Sequence, residues 1–359
     1  MFSSKVLPLL CCPTDHAALE FRHATTPNVN PEQMAWSRVG GDALMCTQCA
    51  TVYTIRDGYA ELLPRAEYEH TTLYAEDEGG HILDYRDLGR PLLSAQVKNN
   101  LLNEFLRFEK NDVVLDLGCG NGKFAYWNRD KVATMLAADL APWFADRARA
   151  ELPLLRADLR ALPVRAATLD KVFSIDVLEH LTRDDIARVL DETRRVLKPG
   201  GRFFVFSNTR EKQTLAPLMA PQQAVTRWLS KRGAVDFTRD DWRKSDHVKA
   251  IRTYEELRAM FEGHGFVVKR VAFWNGVLQG WIENVFMKLG ENYLSQKARG
   301  ENKLEQQVRA RSNVRAAMQT TRGGKYIVPL EIASKVMQLD ITLFGNLRAG
   351  PYFVLVEKQ

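Results

Sequence analysis

Long apolar runs are missing from this chain of 359 residues: no uninterrupted stretch approaches the roughly 18 to 20 residues of a membrane-spanning helix. Val6 to Cys12 follows Lys5, but it is short and Pro8 breaks it. It does not read as a secretion signal, and a cytoplasmic protein is the expectation. Cysteine is scarce too. Five of them, an odd number, exclude a disulfide framework in a chain of this length. There is no internal repeat, and 45% hydrophobic residues exclude wholesale disorder. A balance of 50 Lys and Arg against 44 Asp and Glu leaves only +6, too mild to imply a nucleic-acid partner by itself. The placement of that charge says more. Residues 288–325 hold nine basic and three acidic side chains, a difference equal to the whole net charge. Such a run reads either as a solvated helix face or as a surface for an anionic partner, a membrane or RNA.

The most informative stretch is Val113-Val114-Leu115-Asp116-Leu117-Gly118-Cys119-Gly120-Asn121-Gly122. An apolar, β-branched run closed by an acid and then alternate glycines predicts a buried strand entering a tight turn, with a helix from Phe124. The helix N-terminus offers unpaired N–H groups to a polar ligand, and glycine lets that ligand approach the backbone. Two phosphate motifs fail here. A dinucleotide fingerprint needs a small last residue where Lys123 stands, and a P-loop needs a hydroxyl residue where Phe124 stands. The strand-end acid would repel a pyrophosphate and suits a cationic ligand.

The Asp116-x-Gly118-x-Gly120-x-Gly122 pattern resembles the first motif of class I S-adenosylmethionine-dependent methyltransferases of the small-molecule type. Later segments keep that family's order and spacing. They are Met135 to Asp139, Arg156-Ala157-Asp158-Leu159, Lys171 to Leu181, and Leu197-Lys198-Pro199-Gly200-Gly201 followed by Arg202 to Phe206. The resemblance implies a Rossmann-like α/β fold, with a seven-stranded sheet, helices on both faces and the last strand antiparallel between the fifth and sixth. It also implies S-adenosylmethionine held by Asp116, Gly118, Cys119, Gly120, Asn121, Gly122, Asp139, Leu140, Asp158, Leu159 and Asp176. Within that set Asp139 would take the ribose hydroxyls and Asp158 the adenine amine. His180, and His247 in Asp246-His247-Val248, are the candidate bases if the acceptor is a hydroxyl, with Glu179 and Asp176 behind them.

Four of the five cysteines lie near the start. Cys46-Thr47-Gln48-Cys49 has the spacing of a metal knuckle, while Cys12-Pro13-Thr14-Asp15 puts an acid where a second knuckle would have cysteine. With Tyr53 to Gly58 and Leu62-Leu63-Pro64, this resembles a zinc-ribbon module of the Trm112 type. The resemblance implies structural zinc on Cys12, Cys46, Cys49 and either Asp15 or His16. The expected organisation is a zinc-ribbon-like module at 1–64, a linker and lid helix at 65–110, and the methyltransferase core at 111–275. A basic, amphipathic helical insertion at 276–348 and the core's final strand at 349–359 follow.

Tyr74, His81 and Tyr85 are candidate lid residues. In 327–347, Ile332, Val336, Leu339, Leu343 and Leu347 recur at helical spacing opposite Glu331, Lys335, Gln338 and Asn346. That stripe predicts a helix packed on the domain or on another subunit, or lying on lipid through 288–347. The leading expectation is methyl transfer to a small organic, glycan-like or lipid-like acceptor. An RNA base methyltransferase is the alternative, since a cysteine knuckle also precedes this domain in a ribosomal RNA guanine-methylating family. A cofactor-binding scaffold without catalysis is the third. The sequence assigns neither the acceptor nor the oligomeric state.

Overall fold

The computed structural model describes residues 4–22, 42–64, 88–237, 240–241, 244–296 and 324–359. Its strands are β1 (Leu19–Arg22), β2 (Ala43–Cys46), β3 (Val52–Arg56), β4 (Tyr59–Leu62), β5 (Val113–Leu117) and β6 (Thr134–Asp139). They continue with β7 (Leu154–Ala157), β8 (Leu169–Ile175), β9 (Leu197–Asn208), β10 (Phe266–Phe273) and β11 (Pro351–Lys358). All eleven join one sheet in the order β1-β2-β3-β4-β7-β6-β5-β8-β9-β11-β10. From β7 to β9 the pairing is parallel, and β11 runs antiparallel between β9 and β10, as the family resemblance implies.

Strands covered on both faces read as near-continuous apolar runs, and β5 and β9 do. Alternate residues go to opposite cores. Val114 and Phe204 pack with Leu101 and Phe105 of the helix Ser94–Leu106. Leu115 and Val205 pack with Val189 of the helix Arg183–Val196 and Leu257 of the helix Tyr254–Gly263. Both of the latter helices are capped by a threonine: Thr182 accepts from the Asp185 N–H and Thr253 from the Glu256 N–H. The capping box is offset by one, because Glu256 reaches back to the N–H of Arg252.

Three features differ from the sequence reading. The first is at the sheet edge. Strand β4 pairs in parallel with β7, Tyr59 opposite Leu154 through Leu62 opposite Ala157, so the cysteine-bearing strands prolong the core sheet. An edge strand's unpaired N–H and C=O groups favour such an addition. The second is at Leu197 to Gly201, which the motif sets ahead of Arg202 to Phe206 and which here belongs to the same strand. Strand β9 begins at Leu197 and absorbs Lys198 to Gly201 in a register shift opposite Leu169 and Lys171.

The third concerns the helix Gly324–Phe344. Its predicted apolar stripe faces solvent, with Ile332 56% and Leu343 64% exposed, and the buried positions are Leu330, Ser334, Met337 and Asp340. Polar groups win that face because each satisfies backbone donors. The Ser334 hydroxyl accepts from the Leu93 N–H at 2.6 Å. The Asp340 carboxylate accepts from the N–H groups of Leu278 and Gln279, both at 2.9 Å, capping the helical turn Val277–Gln279. Helical structure continues through a π-helix at Gly280–Met287 into Lys288–Gln296. Among the described residues of 209–246, the helix Ala216–Lys231 packs against the π-helix. No described helix is long and apolar enough to cross a membrane. Tyr74, His81, Tyr85 and the basic positions from 297 to 322 lie outside the described residues.

Candidate functional site

The carboxyl ends of β5, β6 and β8 open into a cleft of about 620 Å³, the position expected for a ligand in a parallel sheet. Its floor is backbone. Gly118 has φ +79, and an added Cβ would lie 2.3 Å from the Val177 side chain. Gly120 has φ +55, and no atom of the described residues lies within 4 Å of where its Cβ would be, so the cleft meets bare backbone there.

Acids ring this floor. Asp116, 2% exposed, accepts from the Ala125 N–H at 3.1 Å, which ties the strand end to the following helix. Asp139 accepts from the Gly120 N–H at 2.7 Å and the Ala141 N–H at 2.9 Å, holding the glycine turn against β6. Burial pushes both carboxyls up from their ordinary range, and in Asp116 the neighbouring Asp139 adds to it. A cation entering the cleft would relieve both. Bare backbone at Gly120, with buried Asp116 and half-buried Asp139 lining one space, fits a nucleoside carrying a positive centre, as S-adenosylmethionine does.

Of the residues named from the sequence, Asp116, Gly118, Cys119, Gly120, Asn121, Asp139, Leu140, Asp158, Leu159, Asp176, His180 and His247 all line this cleft. Gly122 does not. Its α-carbon packs against the helix Asp146–Glu151, where a Cβ would come within 2.9 Å of Ala148. Asp158 is in place, but Arg160 clamps it with Nε–Oδ1 at 3.0 Å and Nη2–Oδ2 at 2.8 Å, and also reaches Asp185 at 2.9 Å. An adenine amine would share that carboxylate with a guanidinium.

The opposite end is built from side chains. Asp176 sits at φ +60, a conformation that costs a non-glycine residue about 1–3 kcal/mol. There it meets Lys98 Nζ at 2.5 Å, while the ammonium also lies 4.3 Å from the Phe206 ring centre. Sequence reasoning missed Lys98. Its signal was a lysine three and four residues before Leu101 and Leu102, on the face of the helix that packs inward.

Glu179, 2% exposed, accepts from the Ser207 hydroxyl at 2.5 Å. Burial first, and then the Asp176 charge, raise its pKa. His180 Nδ1 lies 3.0 Å from Asp246 Oδ1, and the His180 and His247 rings cross edge to face at 4.6 Å. Burial acts to lower the His180 pKa, but the carboxylates of Asp246 and Glu179 outweigh it and the net shift is upward. His247 goes the other way, to about 4, because it is partly desolvated and faces His180 and Lys249. The two rings therefore form an unequal pair, with His247 neutral at physiological pH. Sequence reasoning had named both imidazoles but gave Asp246 no role.

Above them the roof comprises Trp274, Asn275, Gly276, Gly280, Glu283 and Met287, with Met219 and Phe237 from the 209–246 stretch. Lys288 is ion-paired with Asp240 beneath it.

A second cluster lies in the cysteine-bearing strands. One donor atom each from Cys12, Asp15, Cys46 and Cys49 falls within 4.8 Å of the other three, and His16 is not in the group. Cys12 and Cys49 sulfurs are 3.7 Å apart. The edge of a tetrahedron with zinc–sulfur bonds of 2.3 Å is about 3.8 Å. The N–H groups of Gln48 and Cys49 both point at Cys46 Sγ at 3.4 Å, an arrangement that favours a thiolate. These donors fit a closed structural zinc site.

A family model described as a methyltransferase domain matches residues 115–205. A mouse (Mus musculus) tRNA (carboxymethyluridine(34)-5-O)-methyltransferase is 33% identical over 113 residues, covering 31% of this chain and 17% of that protein. A ubiquinone/menaquinone biosynthesis C-methyltransferase from Acidiphilium cryptum is 27% identical over 236 residues, 62% of this chain and 92% of that protein. Among solved structures, a Haemonchus contortus phosphoethanolamine N-methyltransferase 2 with S-adenosyl-L-methionine has 14% identity and a TM-score of 0.47, covering 79% of this chain and 57% of that one.

Proposed function

We propose, for a chain that carries a class I S-adenosylmethionine-dependent methyltransferase domain, that the acceptor is a hydroxyl on a small organic molecule with an apolar body. The observation that carries this reading is the division of the cleft. Buried acids and bare glycine backbone line one end, while two histidines and Glu179 stand at the other beneath Trp274, Met219, Phe237 and Met287.

When bound, S-adenosylmethionine supplies a methyl group activated by a sulfonium. The chain's own residues then do four things. Gly118 and Gly120 admit the ligand against backbone, and Asp116 and Asp139 offset its positive charge. The roof excludes water and holds the acceptor in line, and such orientation is worth on the order of 7–11 kcal/mol at best. Glu179, His180 and His247 bind and polarise the acceptor hydroxyl so that its proton can leave.

Exposed Trp228, Phe286, Ile332 and Leu343 on the roof helices support an amphipathic acceptor met at a lipid surface. The tRNA-modifying relatives support the alternative, an RNA acceptor, although the chain spans only about a fifth of their length or less. Zinc on Cys12, Asp15, Cys46 and Cys49 would hold the outer strands together. About one zinc per chain is expected by elemental analysis, with Cys46→Ser losing it.

The acceptor reading is tested by incubating the protein with methyl-labelled S-adenosylmethionine and a cell extract, beside Asp139→Asn. Label in an organic-extractable fraction that falls in the variant supports the reading. Label confined to RNA overturns it in favour of the alternative.

A further inference from the structure

We propose that Glu179, His180 and His247 hold a divalent first-row transition metal at the acceptor end of the cleft. One ligand atom from each of the three lies within 4.8 Å of the other two. Two ligands on one ion with bonds near 2.1 Å stand about 3–4 Å apart, so small side-chain movements bring all three onto a common centre. The residues converge from two directions. Glu179 and His180 occupy the short 3-10 turn Leu178–His180 after β8, and His247 comes from the segment before Tyr254–Gly263. All three line the cleft, so an ion there would keep coordination positions open to a ligand, the mark of a reactive metal site.

The surroundings also match a metal site. Asp246 Oδ1 lies 3.0 Å from His180 Nδ1, where a carboxylate stands in a carboxylate–histidine–metal relay with Nε2 as the ligating nitrogen. The Ser207 hydroxyl orients the Glu179 carboxylate at 2.5 Å. Two imidazoles and one carboxylate suit manganese, iron or zinc better than magnesium or calcium, which prefer all-oxygen sites. The cysteine cluster differs in kind: three thiols and Asp15 form a softer set that selects zinc.

The role of such an ion rests on the hydroxyl-methylation reading above. An acceptor hydroxyl bound to it is acidified and gives its proton to water. The oxygen then forms the bond to the methyl carbon while the carbon–sulfur bond breaks, its electron pair staying on sulfur.

The test uses the full chain with zinc in its cysteine cluster, stripped of other metals and titrated with manganese(II), free ion being read by electron paramagnetic resonance. One manganese per chain is expected. His247→Asn should weaken it at least tenfold, and Asp246→Asn, which touches no ion, by about 10–100-fold. Both variants should keep the wild-type melting curve and S-adenosylmethionine affinity within threefold by calorimetry. Manganese binding that is absent from the wild type, or equal in wild type and His247→Asn, overturns the metal site. Loss of S-adenosylmethionine binding by the wild type would instead count against the methyltransferase reading, and the manganese titration stands apart from it.

Discussion

On the floor of the cleft, position is set by the backbone: Gly118 and Gly120 adopt positive φ, and Asp139 accepts two main-chain N–H groups. On the roof, position is set by side chains. Asp340 caps one helical turn, Ser334 ties a helix to Leu93, and Gln222 fills the space above Gly280. The floor has little room to give, because main chain and buried carboxylates cannot rotate away. The roof can re-pack, since flexible side chains meet there and its outer face is apolar and exposed.

The same substitution on both sides would break the comparison most sharply. Gly118→Ala puts a methyl group 2.3 Å from the Val177 side chain at φ +79. It should cost about 2–3 kcal/mol of stability and weaken S-adenosylmethionine about a hundredfold, read by thermal melting and calorimetry. Asp139→Asn comes next. It turns a doubly accepting carboxylate into an amide that can accept from only one of the two N–H groups, and about 1–3 kcal/mol of cofactor binding should be lost with the fold intact.

Lys98→Met removes the partner of Asp176, which is 37% exposed. Solvent screening keeps the stability cost below about 1 kcal/mol. A few-fold change in acceptor KM, with cofactor affinity unchanged, would place this ion pair on the acceptor side of the cleft. Gly280→Ala is the mildest. Its Cβ would lie 2.8 Å from Gln222 Oε1, the far end of a flexible side chain, so stability should change by less than about 0.5 kcal/mol. If Gly280→Ala were as damaging as Gly118→Ala, the roof would be as rigid as the floor.

Most of the floor was legible because its signals are local. A strand end, its acid and the glycine turn sit within ten residues, and the alternation of strands and helices brings Asp116, Asp139, Asp158 and Asp176 to one end of a parallel sheet. His180 was legible at the end of a strand for the same reason, whereas His247 was named from the family resemblance. Lys98 was not, because its partner is 78 residues away and only the packing of its helix brings them together. The apolar stripe of Gly324–Phe344 does not pack on its own domain, for a related reason. Periodicity reports which residues share a face, whereas the buried face was chosen by Ser334 and Asp340 finding backbone donors elsewhere in the fold.

By itself, the sequence determined the parallel core, the floor of the cleft and the cysteine cluster, since each follows from short-range pattern and chain order, while the antiparallel last strand followed from the family resemblance. Tertiary structure alone decided that β4 would join β7, that Arg160 would clamp Asp158 beside Asp185, and that Asp246 would orient His180 within reach of Glu179 and His247. Those contacts depend on edge pairing, burial and charge between distant segments, and no local pattern encodes them.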